Sequence, residues 1–342
     1  MYNLQTVLLA YQSMEPAEQE RFATRFGLSS AFRYETERIP WLTQKLRLHL
    51  NKVQGRDTRI PAIKKGSISP VTAASYNLQL NLPETAYSTV TLVTLMVSWG
   101  IFPEDWENQH IDKEQILANR VKECDEALAL AYEAYLYTHL NTYRTKVWTD
   151  DSDLGFSFDA AADILQVSKD AQFNDSFFAN LATLARVNNW NSDTASFITN
   201  PAAGHMYNRM AQLGAANAMN LQFQQLPLRF ESLRVTNTAG YRWSGFLCEA
   251  GAVGVVENYT LPFRIAKEVM GGKFEISPVA LPMLGHKVGL YEELGAKASS
   301  QNGAMSWVDK YAMIHSFFLL KNYNSDDTTR VSNIVRIDGS KQ

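Results

Sequence analysis

Between residues 112 and 148 the apolar side chains Leu117, Val121, Cys124, Leu128, Ala131 and Tyr135 recur at alternating four- and three-residue steps. That spacing predicts one continuous face of a single helix. Asp112 and Gln115 make a capping box at its start, and at 1.5 Å per residue the helix spans roughly 50 Å. Few compact folds need a lone helix so long. It reads as a structural spine, around which the rest of the chain has to pack.

The strongest strand signal lies just before it. Residues 89–101, Thr-Val-Thr-Leu-Val-Thr-Leu-Met-Val-Ser-Trp-Gly-Ile, are β-branched and apolar and end before Pro103. Further upstream, 55–66 and 76–82 alternate like two strands, separated by Gly66, Ser67, Ser69 and Pro70. They predict a long hairpin over 55–88 with few bulky apolar residues of its own. Such a hairpin is marginal alone, so it lies on another domain or reaches a neighbouring subunit. Residues 4–26 carry Leu8, Leu9, Tyr11, Phe22 and Phe26 at helical spacing, divided by Pro16 into two short helices, with a third over 40–48. The whole stretch 1–54 is polar for its length and reads as an arm that packs on something else.

After the spine, 174–188 predicts a helix with Phe177, Phe178, Leu181, Leu184 and Val187 on one side. A buried strand follows at 195–199, stopped by Asn200 and Pro201, then a helix over 204–213. Residues 228–294 form a strand-rich region punctuated by glycines. The C-terminal part gives two strands, 310–322 and 331–337, around the turn Asn324–Ser325–Asp326–Asp327. Their best partner is the strand at 89–101. That pairing makes one domain discontinuous, with 155–305 inserted in it, and the fold class α+β.

With 46% hydrophobic and 20% charged residues, the chain can bury a sizeable core. A net charge of −3 excludes the basic surplus of a dedicated DNA-binding domain. Cys124 and Cys248 are the two cysteines, with no CxxC, so neither a disulfide framework nor a cysteine zinc site is expected. No apolar run is long enough to span a membrane and no signal peptide is evident, so the expectation is a soluble chain made in a cytoplasm.

Catalytic signatures are lacking. His49, His110, His139, His205, His286 and His315 include no pair spaced for joint metal ligation. His139 and His315 read as satisfied polar residues. Asp150–Asp151–Ser152–Asp153–Leu154–Gly155 lacks the closing Glu of a calcium loop and reads as a solvated turn. Gly251–Ala252–Val253–Gly254 lacks the third glycine of a dinucleotide fingerprint and reads as a tight turn. No GxSxG or P-loop occurs. Cys124 reads as a buried inert thiol, and Glu292–Glu293 as a solvated face. No catalytic, cofactor or metal residue is therefore assigned, and no enzyme activity or cofactor is expected.

The order of arm, long hairpin, strand, spine helix, inserted α/β region and returning C-terminal β element resembles the Hong Kong 97 capsid fold of tailed-bacteriophage major capsid proteins. Three strings carry the likeness locally. Leu140–Asn141–Thr142–Tyr143–Arg144–Thr145–Lys146–Val147 is similar to the end of that family's spine helix. Phe197–Ile198–Thr199–Asn200–Pro201 is similar to its axial-domain strand. Residues 311–324, with Tyr323–Asn324–Ser325–Asp326, resemble its closing peripheral-domain strand and turn. The resemblance implies an N-terminal arm over 1–54 and an E-loop hairpin over 55–88. It also implies a peripheral domain over 89–154 and 306–342, and an axial domain over 155–305.

It further implies a virion protein, made in a bacterial host, that assembles with copies of itself as hexamers and pentamers into an icosahedral head. Portal, scaffold and possibly decoration proteins are its implied partners, with weak non-specific contact to packaged double-stranded DNA and none to a membrane. The N-terminus lacks the charged coiled-coil segment of an internal scaffold, which implies a separate scaffold chain. Some family members join an E-loop lysine to a neighbour's asparagine. Lys64 or Lys65 would here meet Asn322 or Asn324, though solvated lysines, or pairing with acidic residues of an adjacent subunit, is the favoured reading. The rivals are an encapsulin-type nanocompartment shell and a cytosolic α/β enzyme.

Overall fold

The computed structural model describes residues 26–51, 57–63, 85–102, 113–172, 176–191, 194–204, 206–208, 228–258, 274–299, 305–321 and 332–341. It is a mixed α+β structure of two six-stranded sheets around one long helix. The first sheet has the order β1 (Asp57–Ile63), β2 (Thr85–Ile101), β11 (Met305–Lys321), β10 (Lys287–Ser299), β9 (Phe274–Ala280), and β8 (Val253–Glu257) also pairs with β11. Every pairing in it is antiparallel. The second sheet has the order β3 (Phe156–Asp159), β4 (Ile164–Val167), β12 (Ile334–Lys341), β7 (Tyr241–Cys248), β5 (Ser196–Thr199), β6 (Leu228–Glu231). There β12 runs parallel to β4, and β5 parallel to β6.

The predicted strand at 89–101 is the later part of β2, and its period of two sets its role. Val93, Leu95, Val97 and Trp99 pack on the main core, while Thr94, Met96, Ser98 and Gly100 are exposed. As expected, the first C-terminal strand pairs with it, from Asp309 opposite Ile101 to Phe318 opposite Leu92. The second does not. β12 lies between β4 and β7 in the other sheet. Its run of Ile334, Val335, Arg336, Ile337 and Asp338 is buried on both faces, which suits a central strand covered on two sides rather than one more strand beside β2.

The expected spine is present as a helix, α3 (Lys113–Thr142). Its 30 residues span about 45 Å. It stops six residues short of 148 because its last turn spends itself locally. Asn141 Nδ2 and Thr142 Oγ1 donate back to the carbonyls of Tyr137 and Thr138, and the Thr145 N–H turns away to the Ile334 carbonyl of β12 at 2.7 Å. Asp112 of the expected capping box lies outside the described residues.

The buried stripe of α3 is Leu117, Val121, Cys124, Leu128, Tyr132, Leu136 and Leu140, with Asp125, Ala129, Glu133 and His139 beside them. Ala131 is only half-buried and Tyr135 is 45% exposed. A strict 3.5-residue repeat drifts about 20° per heptad around a straight helix, so the expected stripe leaves the buried face after Leu128.

The main core joins α3 to both sheets, with Met313, Phe317 and Leu290 from the first and Ile198, Phe246 and Ile334 from the second. Beneath the far face of the second sheet lies a separate aromatic core covered by α4 (Lys169–Gln172) and α5 (Phe177–Val187). Phe177, Phe178, Leu181 and Leu184 of α5 are buried as expected, but Ala185 takes the place of Val187, which is 58% exposed.

Two helices precede the sheets: α1 (Gly27–Glu37) and α2 (Gln44–Leu50), the latter matching the expected third short helix with its start shifted by four residues. The expected helices over 4–26, except Phe26, the strand at 76–82 and the turn after 322 lie outside the described residues. Of the helix at 204–213, Gly204 and 206–208 are helical.

Candidate functional site

The densest gathering of polar side chains in the main core surrounds α1. Sequence reading had passed over this helix, because Ser29, Glu35 and Thr36 make its pattern polar. All three are buried, together with Leu28, Ala31 and Phe32. Gly27 opens it because a Cβ there would fall on the Glu231 carbonyl, where Phe26 and Ser232 form a β-bridge.

The N-cap residue of α1, Phe26, gives no side-chain cap. The carboxylate of Glu133 on α3 does that work. One oxygen accepts from the Ser29 N–H at 2.7 Å and the other from the Ser232 hydroxyl at 2.8 Å. A carboxylate is favoured at the positive end of a helix. Burial nevertheless pushes the Glu133 carboxyl up to about 7, against the pull of the Ser29, Ser232 and Leu28 hydrogen bonds and of Arg234.

Further along α1, Glu35 accepts from the Gly251 N–H at 2.6 Å, and burial raises its carboxyl above the usual range. Thr36 Oγ1 accepts from the Val255 N–H at 2.8 Å. Arg38 donates to the Thr194 carbonyl at 2.5 Å. A carboxylate of α3, Asp125, accepts from the amides of Met283 and Leu284 at 2.9 and 3.0 Å.

One cluster has the connectivity of a nucleophilic triad. Ser29 Oγ lies 3.1 Å from His286 Nε2, and His286 Nδ1 bonds to Glu257. The chemistry needs more than connectivity: an exposed hydroxyl and free donors for the developing oxyanion. Ser29 is 6% exposed, its Oγ also lies 3.3 Å from the Leu284 carbonyl, and its amide is committed to Glu133. The cluster therefore works as a fastener. It was not legible in the sequence, where positions 29, 257 and 286 share no local spacing.

Tyr132 lies edge-on to both His286 and His315, with ring centroids 5.0 and 5.1 Å away, and the two imidazoles stack at 5.4 Å. His315 was expected to be satisfied; its polar neighbour is the Lys287 backbone, in a contact outside ordinary hydrogen-bond geometry. Burial, with His286 adding to it, pulls its pKa down to about 3, so it stands neutral. His139 is satisfied, with Nε2 3.1 Å from the Leu320 carbonyl, and burial lowers it to about 4.

Beside the cluster, Arg33, Glu37, Arg47, Glu257 and His286 line an open cavity of about 290 Å³. Its charges balance, and both arginines already donate to backbone carbonyls, of Gly285 and Thr36. It carries no evident preference for a charged ligand.

The turn motifs and the two thiols are placed as expected, while Glu292 and Glu293 do not form a solvated face. Asp151 Oδ1 accepts from the amides of Asp153 and Leu154, closing a turn in which Gly155 takes a φ of +80°. Gly251 turns with a φ of +72° and leads into strand β8, not into a helix. Cys124 and Cys248 are buried free thiols, the first pushed up to about 11 mainly by burial. Glu292 and Glu293 are half-buried on β10, with Glu293 3.9 Å from Lys310. His49 is exposed on α2. His110, His205, Lys64, Lys65, Asn322 and Asn324 lie outside the described residues. Among the described residues no three His, Cys, Asp or Glu side chains are placed to hold a metal ion, and no helix is long and apolar enough to cross a membrane.

No family model matches the chain, and no curated protein matches it. Among solved structures it is similar to a chain of Mycobacterium phage Che8, at 11% identity and a TM-score of 0.47, covering 87% of this chain and 89% of that one. It is similar to a chain in the asymmetric unit of the bacteriophage PhiM1 mature capsid, at 11% identity and a TM-score of 0.46, covering 85% and 84%. It is also similar to a chain of the cyanophage Pam1 capsid asymmetric unit, at 12% identity and a TM-score of 0.44, covering 85% and 87%.

Proposed function

We propose that this chain is a shell subunit, the major capsid protein of a tailed bacteriophage, with the Hong Kong 97 arrangement of arm, E-loop, peripheral domain and axial domain. The observation that carries the reading is the β1–β2 stem. β11 pairs with β2 from Leu92 to Ile101, while β1 pairs with β2 from Thr85 to Thr91. The two pairings do not overlap, so the stem leaves the sheet as a two-stranded ribbon. Seven residues make it about 23 Å long. Among its described side chains Ile60 and Val90 are buried, against Leu42, Leu50 and Phe318, while Asp57, Arg59 and Thr89 are exposed. A two-stranded ribbon is marginal in water, and contact with a neighbouring copy supplies the burial it lacks. Head-to-tail contacts of that kind close rings, here hexamers and pentamers.

In this reading 1–54 is the arm, 55–88 the E-loop, 89–154 with 306–342 the peripheral domain and 155–305 the axial domain, with β8, β9 and β10 of the last stretch completing the first sheet and β12 of 306–342 completing the second. Portal and scaffold proteins are partners, and contact with the enclosed DNA is weak because the chain has no basic surplus. The sealed Ser29–His286–Glu257 cluster weighs against the enzyme alternative.

Negative-stain microscopy with light scattering on the purified chain, alone and with crowding agents, tests the proposal. Closed shells, tubes or capsomer rings are expected. A uniform small oligomer under every condition, including co-expression with a scaffold chain, would overturn it.

A further inference from the structure

We propose that Glu133 is a proton-operated latch between α1 and the spine helix, closing when its carboxyl gains a proton and loosening when it ionises. The inference is independent of the shell reading. It rests on three features of the geometry. α1 has no cap of its own, so its entry turn is held by a side chain from α3. The same carboxyl holds Ser232, the residue that bridges to Phe26 where the chain enters α1, so a single group fixes both sides of that entry. It is 2% exposed, so the charge has no water to lean on.

The surroundings give the latch its direction. α1 presents the Leu28 and Ser29 amides, and Arg33 one turn on. The loop after β6 presents the Ser232 hydroxyl and Arg234, whose guanidinium lies 3.5 Å from the Leu130 carbonyl and is largely solvent-facing. Tyr132 is the titratable neighbour on α3, and His286 and Glu257 approach Ser29 from its other side. Glu231 of β6 is occupied by Arg229. Among the described residues no cation is buried against the carboxylate, and Arg234 only partly offsets the cost of sealing the charge.

Both protonation states can bond. The ionised group accepts from Ser29 and Ser232. The neutral one accepts from Ser29 and donates to Ser232 Oγ. Only the ionised one carries a desolvation cost, and that cost disappears when α1 lifts and water enters. The carboxyl titrates near 7 in place and near 4.5 once exposed. A raised pKa stabilises the closed state at low pH, and the stabilisation is lost as pH rises through the folded value. Opening of α1 therefore grows about tenfold per pH unit between those two values and levels off above the higher one.

Hydrogen exchange of the peptide covering 27–37 in the full-length protein, corrected for intrinsic exchange, reads this directly. Between pH 5 and 7 the opening constant should rise about 40-fold, then about twofold more by pH 8 as it levels off. Glu133→Gln should remove most of the rise, leaving the part that the buried, raised carboxyl of Glu35 on α1 contributes, while Glu123→Gln on the exposed face of α3 should leave it intact. Ser232→Ala removes a bond that favours the ionised form and should move the plateau to higher pH. It serves as the decisive variant if Glu133→Gln does not fold. Exchange that is independent of pH in the wild type, or a rise undiminished in Glu133→Gln, or an unmoved plateau in Ser232→Ala, would overturn the latch.

Discussion

The two large cores of this molecule are built on different principles. Under the second sheet, Trp148, Phe177, Phe178, Trp190, Phe197 and Trp243 pack edge to face, with centroids such as Trp148–Trp190 at 4.7 Å and Phe177–Phe178 at 4.9 Å, and Phe156 lies tilted on Phe177. Around the spine helix the core is threaded with Glu35, Asp125, Glu133, His139, His286 and His315. The first core is held by apolar area and ring geometry, which act without regard to pH. The second depends on hydrogen bonds between elements far apart in the chain, and it responds to protons. A fold can thus keep one half fixed and one half adjustable without any hinge sequence.

The largest expected effect breaks the aromatic side of that contrast. Trp243 is 1% exposed, packs on Phe177 and Phe197, and donates from Nε1 to Gln172 at 3.0 Å. Trp243→Ala should cost about 3–5 kcal/mol in urea denaturation, with the same loss at pH 5 and pH 8. On the polar side, Asp125→Ala strands the amides of Met283 and Leu284 and should cost about 3 kcal/mol.

Next comes the sign of the pH response. His315 titrates near 3 in place against an ordinary value of 6.5, so it contributes stability above 6.5 that is lost as pH falls. His315→Leu should remove that loss, narrowing the gap to wild type by about 2 kcal/mol between pH 7 and pH 5. This runs opposite to Glu133, so the two buried groups can be separated by measuring slopes rather than midpoints. Smallest is Ser29→Ala, at about 1 kcal/mol. The wild-type hydroxyl should also resist fluorophosphonate labelling; efficient labelling would revive the nucleophile reading.

The same contrast explains what could be read in advance. The strand β2, the spine helix, α5 and the 195–199 strand followed from period and composition, because their burial is apolar and local. Helix α1 did not, because Ser29, Glu35 and Thr36 read as surface and their partners lie 104–257 residues away. Tyr132 escaped for a different reason: an assumed 3.5-residue step put Ala131 on the buried face. The second-sheet place of β12 has no local signal, because a run buried on both faces does not specify which sheet it joins. The polar seam and the triad-like cluster had no sequence signal at all, since a single Ser, a single His and a single Glu at remote positions carry no pattern.

In the proposed shell the β1–β2 ribbon obtains its missing burial from a neighbouring copy. Amide protection at 57–63 and 85–91, compared between assembled particles and dissociated subunits, tests it most directly. Strong protection is expected in particles and near-complete loss on dissociation, while the β2–β11 pairing at 92–101 stays protected in both. Equal protection of the ribbon in the two states would contradict it.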